Sequence, residues 1–183
     1  HKLIYAGSST KFAEDNKNYI QSPYAWSKES NTKFVAKFCE WNDIPFAITY
    51  FYNVFGPREI STGKYATLIA KYKTLMREGK PLPVVKPGTQ RRNFTHVKDI
   101  TRALLEIARF GSGDEYGIGN KKDWSVEEVA HLFGGQLEWL PERKGNRMSA
   151  RVISDKTVEL TGEPRFQLQH YIEELRRNNW NET

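Results

Sequence analysis

A chain of 183 residues, 38% apolar and 27% charged, can bury a core without disulfides or metals but is too short for two domains of full size. Its apolar runs fall far short of the roughly 18 residues of a membrane span. The single cysteine, Cys39, cannot close an internal disulfide, so a protein of the reducing cytoplasm is expected, with no membrane partner and no metal site. The 28 Lys+Arg against 22 Asp+Glu give +6, which suits an anionic partner. The basic residues nevertheless cluster only as Arg91-Arg92, Lys121-Lys122 and Arg176-Arg177, without the polybasic arm or basic helix of a nucleic-acid binder.

Strand-like and helix-like segments alternate along the chain, the pattern of an α/β protein. Leu3 to Ala6 reads as a strand, and Ser22-Pro23 as a helix start, with Ser as N-cap and Pro at the first helical position, for a helix reaching about Asn42. Phe46 to Phe51 is β-rich, and Asn53 to Pro57 is a loop closed by Gly56-Pro57. A helix over Tyr65 to Arg77 ends before Gly79, a short strand follows at Leu82 to Val85, and Asp99 caps a helix to Phe110. Tyr116 to Ile118 is a strand, Ser125 and Glu128 form a capping box for the next helix, and Gln136 to Leu140 alternates like a strand. Leu168, Tyr171, Ile172 and Leu175 make the apolar stripe of a last helix. Cys39 is expected in the core or at its boundary.

At 100° per residue the first helix turns Tyr24, Lys28, Asn31, Val35 and Phe38 to one side and Glu29, Lys33, Lys37 and Glu40 to the other. The second set is the solvated face, so the first is expected to pack inward, carrying a phenol and an ammonium with it. Two readings fit. A cation one turn from a tyrosine favours the phenolate and makes a usable general acid/base; alternatively, a lysine snorkels to water beside a core tyrosine. About one Tyr-x-x-x-Lys is expected by chance in this composition, so spacing alone does not choose.

Position adds to spacing. Ser8-Ser9-Thr10 after a strand, Tyr24-Ala25-Trp26-Ser27-Lys28 on the next helix and Phe51-Tyr52-Asn53-Val54-Phe55-Gly56-Pro57-Arg58 after the next strand resemble the extended short-chain dehydrogenase/reductase family, and within it the nucleotide-sugar epimerases and dehydratases. Gly88 to Asp99 resembles their later phosphate-contacting segment, and Pro141 to Asn146 their last substrate loop. The resemblance implies the carboxyl-terminal part of a Rossmann-type doubly wound parallel sheet plus a smaller α/β substrate-binding domain. Residues 1–60 would be the remnant of the NAD-binding domain and 61–183 mainly the nucleotide-sugar domain, with about 94–110 returning to the Rossmann part.

By the same resemblance, Tyr24 would be the acid/base at the sugar hydroxyl, Lys28 would bind the nicotinamide ribose and tune Tyr24, and Ser8 would hydrogen-bond the same oxygen. Phe51 and Tyr52 would line the nicotinamide side. Ser9, Thr10, Asn53 and Thr67 would line the substrate side, and Arg92 and Arg143 would clamp the diphosphate, guanidinium forks matching phosphate oxygens. His96 is expected to be structural. The implied cofactor is NAD, with NADP left open, and the implied substrate a nucleotide-diphosphate sugar.

Departures from the family pattern sharpen this. The dehydratases carry acidic residues after the serine or threonine where Ser9 and Thr10 stand here, which disfavours dehydration; the expected reaction is C4 epimerisation through a 4-keto sugar, with a dehydratase, reductase or decarboxylase on the same scaffold as the alternative. Tyr50 replaces an arginine often found three residues before the loop asparagine, and Asn93 replaces an acidic residue. The glycine-rich turn that holds a dinucleotide pyrophosphate has no counterpart; Gly111, Gly113 and Gly117 have the wrong spacing and precede a strand. The sequence therefore reads as a fragment, the carboxyl-terminal three-fifths of such an enzyme. Alone it should be inactive, should bind NAD weakly or not at all, and should either self-associate through a free sheet edge or associate with an amino-terminal half. A non-catalytic nucleotide-sugar-binding module is the alternative from another class.

Overall fold

The computed structural model describes residues 1–12, 22–63, 65–142, 148–149 and 152–182. Strand β1 (Leu3–Ser8) runs into a single 3-10 turn (Ser9–Phe12), and helix α1 (Pro23–Trp41) leads to β2 (Phe46–Phe51). Then come β3 (Val54–Phe55), α2 (Leu68–Arg77), β4 (Leu82–Val85), β5 (Arg91–Asn93), β6 (Thr95–His96) and α3 (Val97–Phe110). The remainder is β7 (Gly113–Ile118), β8 (Asp123–Ser125), α4 (Val126–Phe133), β9 (Leu137–Leu140), α5 (Asp155–Thr161) and α6 (Leu168–Arg177).

The largest sheet has the order β1-β2-β7 and is parallel throughout. Its middle strand explains the order: Ala47, Ile48, Thr49 and Tyr50 are all buried, as expected of a strand covered on both faces. The register sets Ser8 opposite Phe51, and Phe51 opposite Ile118, so the strands' carboxyl ends lie level and open into one crevice, the place where open parallel sheets bind ligands. Two glycines permit the close packing. A Cβ on Gly7 would stand 2.6 Å from the Tyr50 ring, and one on Gly117 would stand 1.8 Å from the Ile153 carbonyl oxygen. The sheet's core of Ala47, Ile100, Ala103, Ile107, Tyr116 and Ile118 is distinct from a second core that joins α2, β4, α4 and α6 through Tyr72, Leu82, Val84, Phe133 and Ile172. Three further two-stranded pairings, β3-β6, β4-β9 and β5-β8, tie the second core to the crevice.

The expected elements form, with three instructive shifts. Asp99 is not the cap of α3. His96 is, its Nδ1 accepting from the Lys98 N–H at 3.1 Å, while the buried Asp99 carboxylate takes the backbone N–H groups of Arg165 and Phe166. The helix expected from Tyr65 begins at Leu68. The inward face of α1 is rotated from the one expected: Ala25, Thr32 and Cys39 are buried, whereas Tyr24 and Phe38 are 61% and 44% exposed. The helix packs on β1 and β2 through small residues spaced seven apart, which lets it lie close to the sheet and leaves its larger side chains outside.

Candidate functional site

Three elements place the crevice residues. Strand β1 delivers Ser8 at its end, and the tight turn that follows folds Thr10 back so that its hydroxyl donates to Ser8 Oγ at 2.9 Å. Ser9 faces inward and is buried. The Ser22 cap, accepting from the Ala25 N–H at 3.1 Å, and Pro23 fix where α1 starts, and so where Tyr24 and Lys28 stand one turn apart. Lys28 Nζ donates to the Ala6 carbonyl at 2.5 Å and lies 4.9 Å from the centre of the Tyr5 ring. The ammonium is thus hydrogen-bonded at the end of β1 instead of being buried unpaired, and it keeps further N–H donors for a ligand. The Tyr24 phenol is open to solvent. The end of β1 thus carries two coupled hydroxyls and an anchored ammonium, and the first turn of α1 carries an accessible phenol.

Phe51 is half-buried at the end of β2. Tyr52 is wholly buried; its hydroxyl accepts from the Ile153 N–H at 3.2 Å and its ring lies beneath Gly119. Tyr52 therefore props the wall of the crevice and presents no surface to a ligand. Asn53 takes a positive φ of 28° and donates from Nδ2 to the Asn93 carbonyl at 2.9 Å, so its amide holds β5 in place. Thr67 donates its hydroxyl to Glu59 at 2.7 Å, and burial pushes the Glu59 carboxyl above the usual range.

A cavity of about 250 Å3 lies between α2 and β4. Arg92 lines it, together with Lys71, Tyr72, Pro83, Gln90 and Leu140. Arg92 Nη1 donates to the Arg91 and Met148 carbonyls at 2.7 and 3.3 Å. Gln90 is 2% exposed; its amide nitrogen donates to Val85 O at 3.0 Å, and its Oε1 is buried without a partner. A buried acceptor left unpaired in a cavity with cationic and apolar walls is a recognition feature. Gln90, Lys71 and Tyr72 were not singled out from sequence; the legible signal was Gln90 two residues before Arg92 on a short strand. Arg143 lies outside the described residues.

Lys11 was also missed. Its Nζ donates to Tyr50 Oη at 3.1 Å and to Asp114 Oδ2 at 3.2 Å. Burial, with Asp114 adding to it, pushes the Tyr50 hydroxyl far up, so it stays protonated. His96 is buried, and that burial lowers its pKa, in keeping with a structural residue. Among the described residues no three His, Cys, Asp or Glu side chains come together to hold a metal, and no helix is long and apolar enough to cross a membrane.

The low-salt glycan biosynthesis protein Agl12 of Haloferax volcanii is 30% identical over 171 residues, which span 89% of this chain and 54% of that protein. The human dTDP-D-glucose 4,6-dehydratase is 31% identical over 129 residues, 69% of this chain and 36% of its own. Among solved structures, the UDP-glucose 4-epimerase of Thermotoga maritima superposes with a TM-score of 0.85 at 22% identity, over 97% of this chain and 64% of that one. The chain thus spans about half the length of these relatives or less where their sequences align. The shared fold is the Rossmann-type α/β arrangement, and residues 1–119 match the model of one family. The chain belongs to the NAD dependent epimerase/dehydratase family.

Proposed function

We propose that this chain provides the proton-transfer group and the sugar-nucleotide pocket of an NAD-dependent 4-epimerase acting on a nucleotide-diphosphate sugar. The observation that carries the reading is Lys28, one helical turn from the exposed Tyr24, anchored to the Ala6 carbonyl of the strand that ends in the coupled hydroxyls of Ser8 and Thr10. These donors fit the nicotinamide end of NAD, since Lys28 retains N–H groups for a ribose hydroxyl. NAD, when bound, takes up and returns a hydride. Tyr24 accepts the proton of the sugar's 4-hydroxyl as the carbonyl forms and gives it back after the sugar has turned. Lys28, held by the Ala6 carbonyl, keeps its remaining N–H groups for the cofactor ribose, and Ser8, Thr10 and Asn53 hold the sugar oxygens. Arg92 and Arg143 meet the diphosphate, while Gln90 Oε1 accepts an N–H of the base, with Tyr72, Pro83 and Leu140 packing its ring.

The relatives include dehydratases, so the chemistry needs a direct test. Dehydration through a 4-keto sugar breaks the bond between C5 and its hydrogen, and a solvent hydron replaces it there. Epimerisation at C4 returns the same hydride and leaves every carbon-bound hydrogen in place. With the complete enzyme in deuterium oxide, UDP- and dTDP-hexoses should interconvert as 4-epimers without deuterium in the product. Deuterium at C5 with loss of water would establish the dehydratase reading, for which the 31% identical human enzyme speaks. Tight nucleotide-sugar binding with no turnover would establish a non-catalytic module.

A further inference from the structure

We propose that a single buried water molecule is an integral part of this fold, held where α3, α5 and the end of β7 meet. Three polar atoms there are buried without a protein partner: Arg102 Nε, Ser154 Oγ and Thr157 Oγ1. All three residues line one small cavity of about 10 Å3, the room a single water needs. Ser154 and Thr157 are only 2% and 3% exposed. Ser154 stands at the N-cap position of α5 yet makes no capping hydrogen bond, so its hydroxyl is free to serve the cavity. Both terminal nitrogens of the Arg102 guanidinium are engaged elsewhere: Nη1 donates to the Thr161 carbonyl, and Nη2 to Asp99 Oδ1 at 3.2 Å and the Glu163 carbonyl at 3.1 Å.

The chemistry of the lining selects the occupant. Arg102 Nε can only donate, so the occupant must accept; this excludes ammonium. The Asp99 carboxylate lines the same cavity, so a halide would be repelled. A neutral molecule that accepts from Nε–H and exchanges hydrogen bonds with two hydroxyls satisfies all three atoms, and water has two to four such partners in buried sites. Its place gives it a task. Ser154 follows Ile153, whose N–H donates to Tyr52 and whose carbonyl lies where any Cβ on Gly117 would stand. The water pins α5 and this segment against the crevice wall.

The test rests on a sign. Thr157→Val replaces the hydroxyl with a methyl of nearly the same shape. If the hydroxyl serves a water, the substitution removes one of the water's three hydrogen-bond partners and sets a methyl against it, and Tm should fall by about 2–4 °C. If the cavity is dry, the substitution removes an unpaired buried hydroxyl and Tm should rise. A rise overturns the proposal. A crystal structure of the wild-type protein decides independently of any variant's folding: electron density for a water bonded to Arg102 Nε, Ser154 Oγ and Thr157 Oγ1 is expected. Continuous protein contacts across the site, or an anomalous peak there after a bromide soak, would refute it.

Discussion

Tyr24 and Lys28 carry the catalytic reading, and their surroundings make it testable. Because the Tyr24 ring is largely exposed, Tyr24→Phe removes an ionisable oxygen without opening a core cavity. Turnover of the complete enzyme should fall at least about 100-fold while the unfolding midpoint stays put. Lys28→Met keeps the stem but loses the ammonium anchored to Ala6, so turnover should fall in that variant as well. A Phe variant with more than about a tenth of wild-type turnover would remove Tyr24 from the chemistry. In the nucleotide cavity, Gln90→Leu keeps the volume but deletes the unpaired acceptor, and Arg92→Ala deletes a cation. Each should weaken UDP or dTDP-sugar binding in calorimetry by about 1–3 kcal/mol, with Gln90→Leu losing affinity for the base-bearing ligand and not for a bare sugar phosphate. Equal affinity across all three proteins would return both side chains to a structural role.

At the scale of elements, sequence and structure agree where a local signal is strong and part where tertiary packing decides. The Ser22-Pro23 start of α1 and the Ser125–Glu128 capping box are both present, since a cap depends on its own turn alone. Which face of α1 turns inward depends on the surface it meets, and the sheet selected Ala25, Thr32 and Cys39 over the larger residues that periodicity favoured. Lys11 was illegible for the same reason: nothing local in its sequence shows that Tyr50 and Asp114 arrive beside it. The cap of α3 shows the reverse error, with Asp99 taken for the cap because it is the better capping residue, although His96 occupies the position. That placement has a pH consequence. Burial lowers the folded-state pKa of His96, so the unfolded chain binds the proton more readily, and its share of stability is lost as pH falls from about 6.5 through the folded-state value. Protonation also removes the Nδ1 lone pair that caps the Lys98 N–H. The unfolding free energy should therefore drop with acidification over that window, and His96→Asn, which keeps a capping acceptor, should flatten the slope. An unchanged slope in the variant would assign the acid sensitivity elsewhere.

The whole molecule presents two features that local reading could not join. In the order β1-β2-β7, β1 is an edge strand of a parallel sheet, and unpaired edges invite association. Beside it, α1 shows Trp26, Phe34, Phe38 and Trp41 to solvent, each between 44% and 75% exposed, with Phe34 and Phe38 stacked at 5.9 Å. A run of exposed aromatics on one helix is the mark of a surface meant to be covered. Sedimentation velocity tests whether a second copy of the chain covers it. The wild-type protein should sediment with a mass that rises with concentration. Phe34→Glu combined with Phe38→Glu changes two exposed positions, so it should cost little stability, yet it places carboxylates in the middle of the aromatic run, where burial against another copy would desolvate them. The double variant should remain a monomer over the same range, with an unchanged far-ultraviolet spectrum. If it still associates, the β1 edge and not the helix face is the contact, and a β1 variant such as Leu3→Pro, which cannot extend the hydrogen-bond ladder, becomes the discriminating protein. If the wild type is monomeric throughout, the aromatic face is open for another partner and self-association is refuted.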